Sequence, residues 1–262
     1  MIRFDKFPGG KRKAVTMSYD DATVHDKRLV EIFNKNGIKG TFHINSGFIG
    51  HEGHLTEEEI KELYKGHEVA VHGVLHQTLT KIPPQNMVAE VLEDRRALER
   101  IVGYPVVGMS YANGGFSDEV CAALHSCGIV YSRTTMNTDG WKLPEDFLRW
   151  HPTCHHKTAL EKIDRFINFN YQSGYVLYIW GHSFEFDRDN NWDVIEEVCR
   201  KLGGNEDIWF ATNIEIYNYI NALKSLIISV DEDIVTNPTM YELWFSRGNE
   251  TVKINPCETL RF

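Results

Sequence analysis

No run of 18 apolar residues occurs in this chain, and its first ten residues, MIRFDKFPGG, hold no apolar stretch of the signal-peptide kind. A bilayer-crossing helix needs about 20 such residues. No membrane partner is therefore expected, and a cytoplasmic location is the reading for the chain as given. Nucleotide cradles are missing as well. No GxGxxG follows the first strand-like run, and no GxxxxGK[ST] occurs, so the two commonest phosphate-binding loops are excluded. "GGF" at 114–116 is a turn. Cysteine is scarce and odd in number: Cys121, Cys127, Cys154, Cys199 and Cys257, with no CxxC. A fully paired disulfide framework is thereby excluded, and reduced thiols are the default. Positive charge is in deficit, with 28 Lys and Arg against 37 Asp and Glu and a net charge of -9. Phosphate-tracking proteins concentrate positive charge. Here the basic run "GGKRK" at 9–13 is short, so nucleic acid is set aside as a partner.

What is present is ordinary globular material, 42% hydrophobic and 25% charged over 262 residues. That length suits one large α/β domain with at most a small appendage. Strand-like runs at 14–19, 39–44, 68–72, 106–111, 129–132, 175–180 and 208–212 alternate with helical patterns at 24–36, 56–66, 85–102, 117–124, 158–170, 191–202 and 213–224. Thr56 and Glu59 read as a capping box. Gly37, Gly103 and Gly128 follow helices where a C-terminal glycine is favoured. Such alternation predicts βα units with mostly parallel strands. About seven units favour a distorted (β/α) barrel over an open sheet. Residues 133–157 read as irregular. The tail, 225–262, alternates as a small β appendage, which predicts a catalytic barrel at 1–224 and an extension packed on it.

In a parallel barrel, chemistry gathers at the C-terminal ends of the strands. "KAVTMSYDD" ends its strand in Asp20 and Asp21. "VAVHGVLH" ends the next relevant strand with His72 and His76, four apart, which a helical turn would place on one face. Two imidazoles and one carboxylate make a zinc-type ligand set with a place left for water. Adjacent residues on an extended chain point to opposite sides, so one aspartate can ligate while the other takes a proton from water. "YIWGHSF" supplies His182 from a third strand end, to protonate a leaving group. The set predicts hydrolysis of an amide or ester without a covalent intermediate.

"MSYDD", "HGVLH" and "WGH", in this order, resemble the polysaccharide deacetylase family, the NodB-homology domain of carbohydrate esterases, over about residues 12–224. The resemblance implies a distorted barrel that removes acetyl groups with a divalent metal, usually zinc, with cobalt, nickel or another divalent ion as alternatives. It implies Asp20 as catalytic base, Asp21, His72 and His76 as metal ligands, and His182 as general acid. Tyr111 of "GMSY" matches the aromatic of the family's R-x-P-[YF], whose backbone N–H would help form an oxyanion hole. Trp141 of "NTDGW" matches an aromatic that would line the acyl pocket. Departures are plain: Gly108 stands where the family has Arg, Ser110 where it has Pro, Gly73 where it has Ser or Thr. Asp139 is displaced by one position.

Other polar groups are candidates for the pocket. "RWHPTCHHK" brings His151, Cys154, His155 and His156 together, read as a polar loop over the site in preference to a second metal site. One of these histidines would touch substrate or steady Asp20 in place of the absent Arg. His43 lies at another strand end. Glu185, three residues after His182, would orient that imidazole or bind a sugar hydroxyl. Asn113 is a further neighbour. The leading expectation is a metal-dependent deacetylase of an acylated saccharide. A hydrolase of a cyclic imide or ureide, and an inactive carbohydrate-binding relative, are the alternatives.

Overall fold

The computed structural model describes residues 1–169 and 173–262. Residue 170, the last of the helix expected at 158–170, lies outside the described residues. Fourteen strands and eight α-helices are described. β1 (Ile2–Arg3) precedes the barrel. The barrel strands are β2 (Lys13–Asp20), β3 (Gly40–Ile44), β4 (Glu68–Val71), β5 (Gly108–Ser110), β6 (Tyr131–Arg133), β7 (Cys154–His155), β8 (Tyr175–His182) and β9 (Ile208–Phe210). Between them run α1 (Asp26–Lys35), α2 (Glu57–Leu63), α3 (Pro84–Val102), α4 (Asp118–Ser126), α5 (Leu160–Asn168), α6 (Phe184–Arg188) and α7 (Trp192–Leu202), and α8 (Asn213–Lys224) follows.

Local chemistry accounts for many boundaries. Thr56 and Glu59 form both bonds of the capping box, so two orphan N–H groups at the start of α2 are satisfied. The Ser117 side chain accepts from the Val120 N–H at the start of α4. Gly103 ends α3 in the left-handed conformation at φ 78°.

All pairings in the barrel sheet are parallel, in the order β6-β5-β4-β3-β2-β8-β7, with β9 beside the first residues of β2. The ring closes through irregular chain. Trp150 bridges to Arg133, its N–H donating to the Ser132 carbonyl, while the Thr153 N–H donates to Tyr178 on β8. The stretch 133–157, expected to be irregular, is thus the closing segment and holds the two-residue β7. Parallel register brings the chemistry to one end. Asp20 pairs with His43 on one side and His182 on the other, and Ser110 pairs with Arg133.

Two apolar cores support this frame. One fills the space between sheet and helices with Val15, Met17, Leu29, Phe33, Phe42, Val71, Leu98 and Leu177. The second joins the barrel to α8 and the chain's end through Phe7, Trp150, Tyr178, Ile216 and Tyr219, packed with Val235, Leu243, Phe245 and Ile254. The end forms two antiparallel three-stranded sheets. One pairs β10 (Ile227–Ile228), β11 (Ile234–Thr236) and β14 (Thr259–Arg261); the other pairs β1, β12 (Leu243–Arg247) and β13 (Glu250–Ile254). The chain's first strand thereby joins its last segment. Of the neighbours Trp244 and Phe245, Phe245 is buried and Trp244 is half-buried. No helix among the described residues is long and apolar enough to cross a membrane.

Candidate active site

β2 delivers Asp20 at its last position, and the next residue leaves the strand sharply. Asp21 has φ 80° and Ala22 φ 48°, a left-handed conformation that is strained for residues with a Cβ. This turn matters chemically. An extended chain would send the two carboxylates apart. Here Asp20 Oδ2 and Asp21 Oδ1 each stand 3.7 Å from His72 Nε2. The reason for the pairing is therefore the turn, not strand alternation.

His72 and His76 come from the loop after β4, which is not helical. Gly73 has φ 84° and His76 φ 55°, and the rings sit 4.8 Å apart, edge to face. The loop is held from behind by α3. Asp94 accepts from the N–H groups of Ser46, His72 and Gly73, and Glu90 from those of Leu75 and Gln77. A Cβ on Gly73 would lie 3.0 Å from the Glu90 carboxylate. That accounts for glycine where the family has Ser or Thr.

His72 Nδ1 lies 3.0 Å from the Ser110 carbonyl oxygen and 2.7 Å from its hydroxyl. A carbonyl only accepts, so the network puts the proton on Nδ1 and leaves a lone pair on Nε2. His72 Nε2 is buried without a hydrogen-bond partner. It faces Asp21 Oδ1, which is also 3.9 Å from His76 Nε2. Burial and the adjacent Asp20 both push the Asp21 carboxyl above its ordinary value, with His182 and His76 opposing. A buried nitrogen lone pair, a second imidazole and two crowded carboxylates suit a divalent cation.

Asp20 has its own network. Burial alone would raise its pKa, but the Arg133 guanidinium, His72 and His43 outweigh it and hold the carboxyl well below the usual range. Arg133 Nη2 donates to Asp20 Oδ2. The Ser110 hydroxyl donates to Oδ1 at 3.2 Å, and His43 Nδ1 stands 3.3 Å from Oδ1. Arg133 is fully buried, and its guanidinium lies 4.5 Å over the Trp180 ring. It ends β6, one strand beyond Gly108 on β5. A side chain at Gly108 has no room, because a Cβ there would overlap the Tyr131 hydroxyl. Arg133 and Ser110 were not singled out for this role from the sequence. The signal was present only as an Arg at a strand end, and as Ser where the family has Pro.

His182 ends β8 with Nε2 3.9 Å from Asp20 Oδ2 and 4.0 Å from Asp21 Oδ2. Its Nδ1 is 3.2 Å from Glu185 Oε1 on α6. Burial works against the imidazolium, but Glu185, Asp20 and Asp21 prevail and raise the His182 pKa. Glu185 is held ionised despite burial by His156, His182, His155 and Lys157.

The other expected residues divide. His43 is fully buried beside Asp20. Asn113 sits at φ 56° and its amide donates to Thr78 Oγ1 at 3.0 Å, tying two loops at the rim. His151 accepts or donates at Thr134 Oγ1, 2.7 Å away, beside Phe116. His155 and His156 flank Glu185. Tyr111 does not supply a free N–H. Its backbone donates to the Arg133 carbonyl at 3.0 Å, and its hydroxyl to the Leu148 carbonyl. Trp141 is not brought here. Its carbonyl accepts from the Val176 N–H near the start of β8, and its ring packs on Phe166, Phe169 and Tyr175. Asp139 pairs instead with Lys162 at 2.6 Å.

Residues 8–132 match the family model described as polysaccharide deacetylase. A candidate polysaccharide deacetylase of Bacillus subtilis (strain 168), YxkH, is 28% identical over 137 residues, which is 52% of this chain and 48% of that protein. The chain thus matches about half the length of this curated relative. Among solved structures, a candidate polysaccharide deacetylase from Mycobacterium smegmatis has a TM-score of 0.66 at 18% identity, covering 84% of this chain and 93% of that one. A family 4 carbohydrate esterase from Streptomyces lividans, in complex with acetate, has a TM-score of 0.51 at 14% identity, covering 76% and 92%. A family 4 pseudoenzyme from Bacillus anthracis has a TM-score of 0.53 at 13% identity, covering 82% and 66%. At these identities the likeness is one of fold.

Proposed function

We propose, for a chain whose residues 8–132 belong to the polysaccharide deacetylase family, that it hydrolyses acetyl groups from an acylated saccharide, using a divalent ion held by Asp21, His72 and His76. Zinc is the first choice, since two imidazoles and a carboxylate with an open position are its usual hydrolytic set. When bound, the ion supplies Lewis acidity to the acyl carbonyl and makes water more acidic. The remaining work falls to the chain. Asp20, kept ionised by Arg133, accepts the proton of the attacking water. Arg133 and Ser110 fix the direction of that carboxylate. His182, charged through Glu185, gives a proton to the departing amine or alcohol. The two proton-handling groups stand 3.9 Å apart on adjacent strands, so base and acid flank one position. That juxtaposition carries the reading.

The fold alone does not, because a family 4 pseudoenzyme shares it. Loss of the family's Arg at position 108 would suggest an inactive relative. Arg133 answers that objection by reaching the same carboxylate from the next strand. Acetate release from acetylated oligosaccharides is the test, run beside chromogenic acetyl esters and cyclic amides. Asp20→Asn should retain its metal and lose about 10²- to 10⁴-fold in turnover. Turnover of a cyclic imide or ureide alone would move the substrate assignment to that class. Wild-type rates in D20N would remove Asp20 as the base.

A further inference from the structure

Two histidines next to the site just described have no role in the proton transfers, and both face Glu185, the carboxylate that also holds His182. His155 ends β7, His156 opens the following turn, and Glu185 lies on α6. Their ligand atoms, one from each, lie within 4.8 Å of one another. Glu185 Oε2 stands 3.4 Å from His155 Nε2 and 3.3 Å from His156 Nε2. Ligands about 2.0–2.1 Å from a tetrahedral zinc are separated from one another by about 3.3 Å. The spacing here is tighter than in the Asp21 set.

His156 is 1% exposed, and both its ring nitrogens are buried without a hydrogen bond of good geometry, while the buried Glu185 Oε2 faces His155, His156 and the Lys157 ammonium. Buried polar atoms are seldom left so. The ring is admitted by Gly181, where any Cβ would overlap His156 Nδ1, and it stacks on Phe186 with centroids 4.1 Å apart. One cation already reaches the place: Lys157 Nζ is 3.2 Å from Glu185 Oε2 and 3.3 Å from Asp189 Oδ2. Lys157 is exposed and can withdraw toward Asp189.

We propose that His155, His156 and Glu185 form a second site for a divalent transition-metal ion of the zinc class, separate from Asp21, His72 and His76. The two sites share no ligand. Glu185 joins them indirectly, since its Oε2 faces the second ion and its Oε1 faces His182. An ion here would fix the carboxylate that orients His182.

The test is metal stoichiometry with zinc alone. Protein stripped with chelator, reloaded and desalted is analysed for elemental zinc, and cobalt loading is followed by visible absorption. Wild type should hold two equivalents. His155→Ala, at a partly exposed position, and His156→Phe, which preserves the stack on Phe186, should each hold one, with unchanged circular dichroism. The pair His72→Ala with His76→Ala should keep one equivalent and its cobalt spectrum. One equivalent in wild type that survives in H155A overturns the second site, as do two equivalents in both. One equivalent lost in H155A and kept in the His72/His76 variant supports this site and removes the metal from the proposed function instead.

Discussion

At the scale of single residues, the central relation is between Asp20 and Arg133, 113 positions apart. A fully buried carboxylate needs a partner, and removing one member of a buried ion pair costs about 3–5 kcal/mol. Arg133→Met should therefore lower stability by that order in denaturant unfolding. It should also reduce kcat by about 10²-fold with little change in KM, because a misdirected base affects the transition state and not ground-state binding. An unchanged kcat would show that Arg133 is structural only. Restoring the family's arginine as Gly108→Arg in the same protein should not rescue it, since the Tyr131 hydroxyl fills that path. The strand-end groups Asp20, Asp21, His72, His76 and His182 were legible because each lies in a short motif after an apolar run. Arg133, Ser110, Asp94 and Glu90 were not. Their partners are set by which strands are neighbours, and a local pattern holds no record of that. The same gap misassigned the Tyr111 N–H, which pairs across to β6.

At the scale of elements, the barrel has a polar plug near the strand starts. Glu68, first residue of β4, accepts from Thr41 Oγ1, the Tyr131 hydroxyl and the Ile214 N–H. It thereby ties β3, β6 and α8 to one carboxyl. Burial pushes its pKa up to about 7 in spite of those bonds. The folded state then holds a proton that the unfolded chain releases above about 4.5. Stability from this group falls as pH rises from about 4.5 to about 7 and is level beyond, a change on the order of 3 kcal/mol. Glu68→Gln should flatten that slope in urea titrations at pH 5 and pH 8, and an unaltered slope would refute the raised pKa. Element types were mostly readable from periodicity and caps. Their ends were less so: the His72–His76 segment carries helical spacing yet folds as a loop, because Gly73 and His76 take left-handed conformations and α3 receives the freed N–H groups.

At the scale of the molecule, a division at residue 224 into barrel and extension is a proposal. Val235, Leu243, Phe245 and Ile254 share one core with Phe7, Tyr178, Ile216 and Tyr219, and Ile2–Arg3 pairs with Ser246–Arg247. Truncation after residue 224 should expose this apolar surface, lower the unfolding midpoint and promote association in light scattering. A monomeric truncation with an unshifted midpoint would show that the extension is dispensable to the barrel. The barrel class was legible from alternating strands and helices. Its closure was not, since Trp150–Thr153 does the joining without the pattern of a strand.

Acetate release is the decisive readout for the claim that Asp21, His72 and His76 hold the ion on which Asp20 and His182 act. An acetylated oligosaccharide is presented to the purified chain before chelation, after chelation with zinc content verified at zero, and after zinc is returned. Activity that vanishes with the metal and comes back with it is the predicted result. An undiminished rate in the metal-free sample would contradict the account at its base.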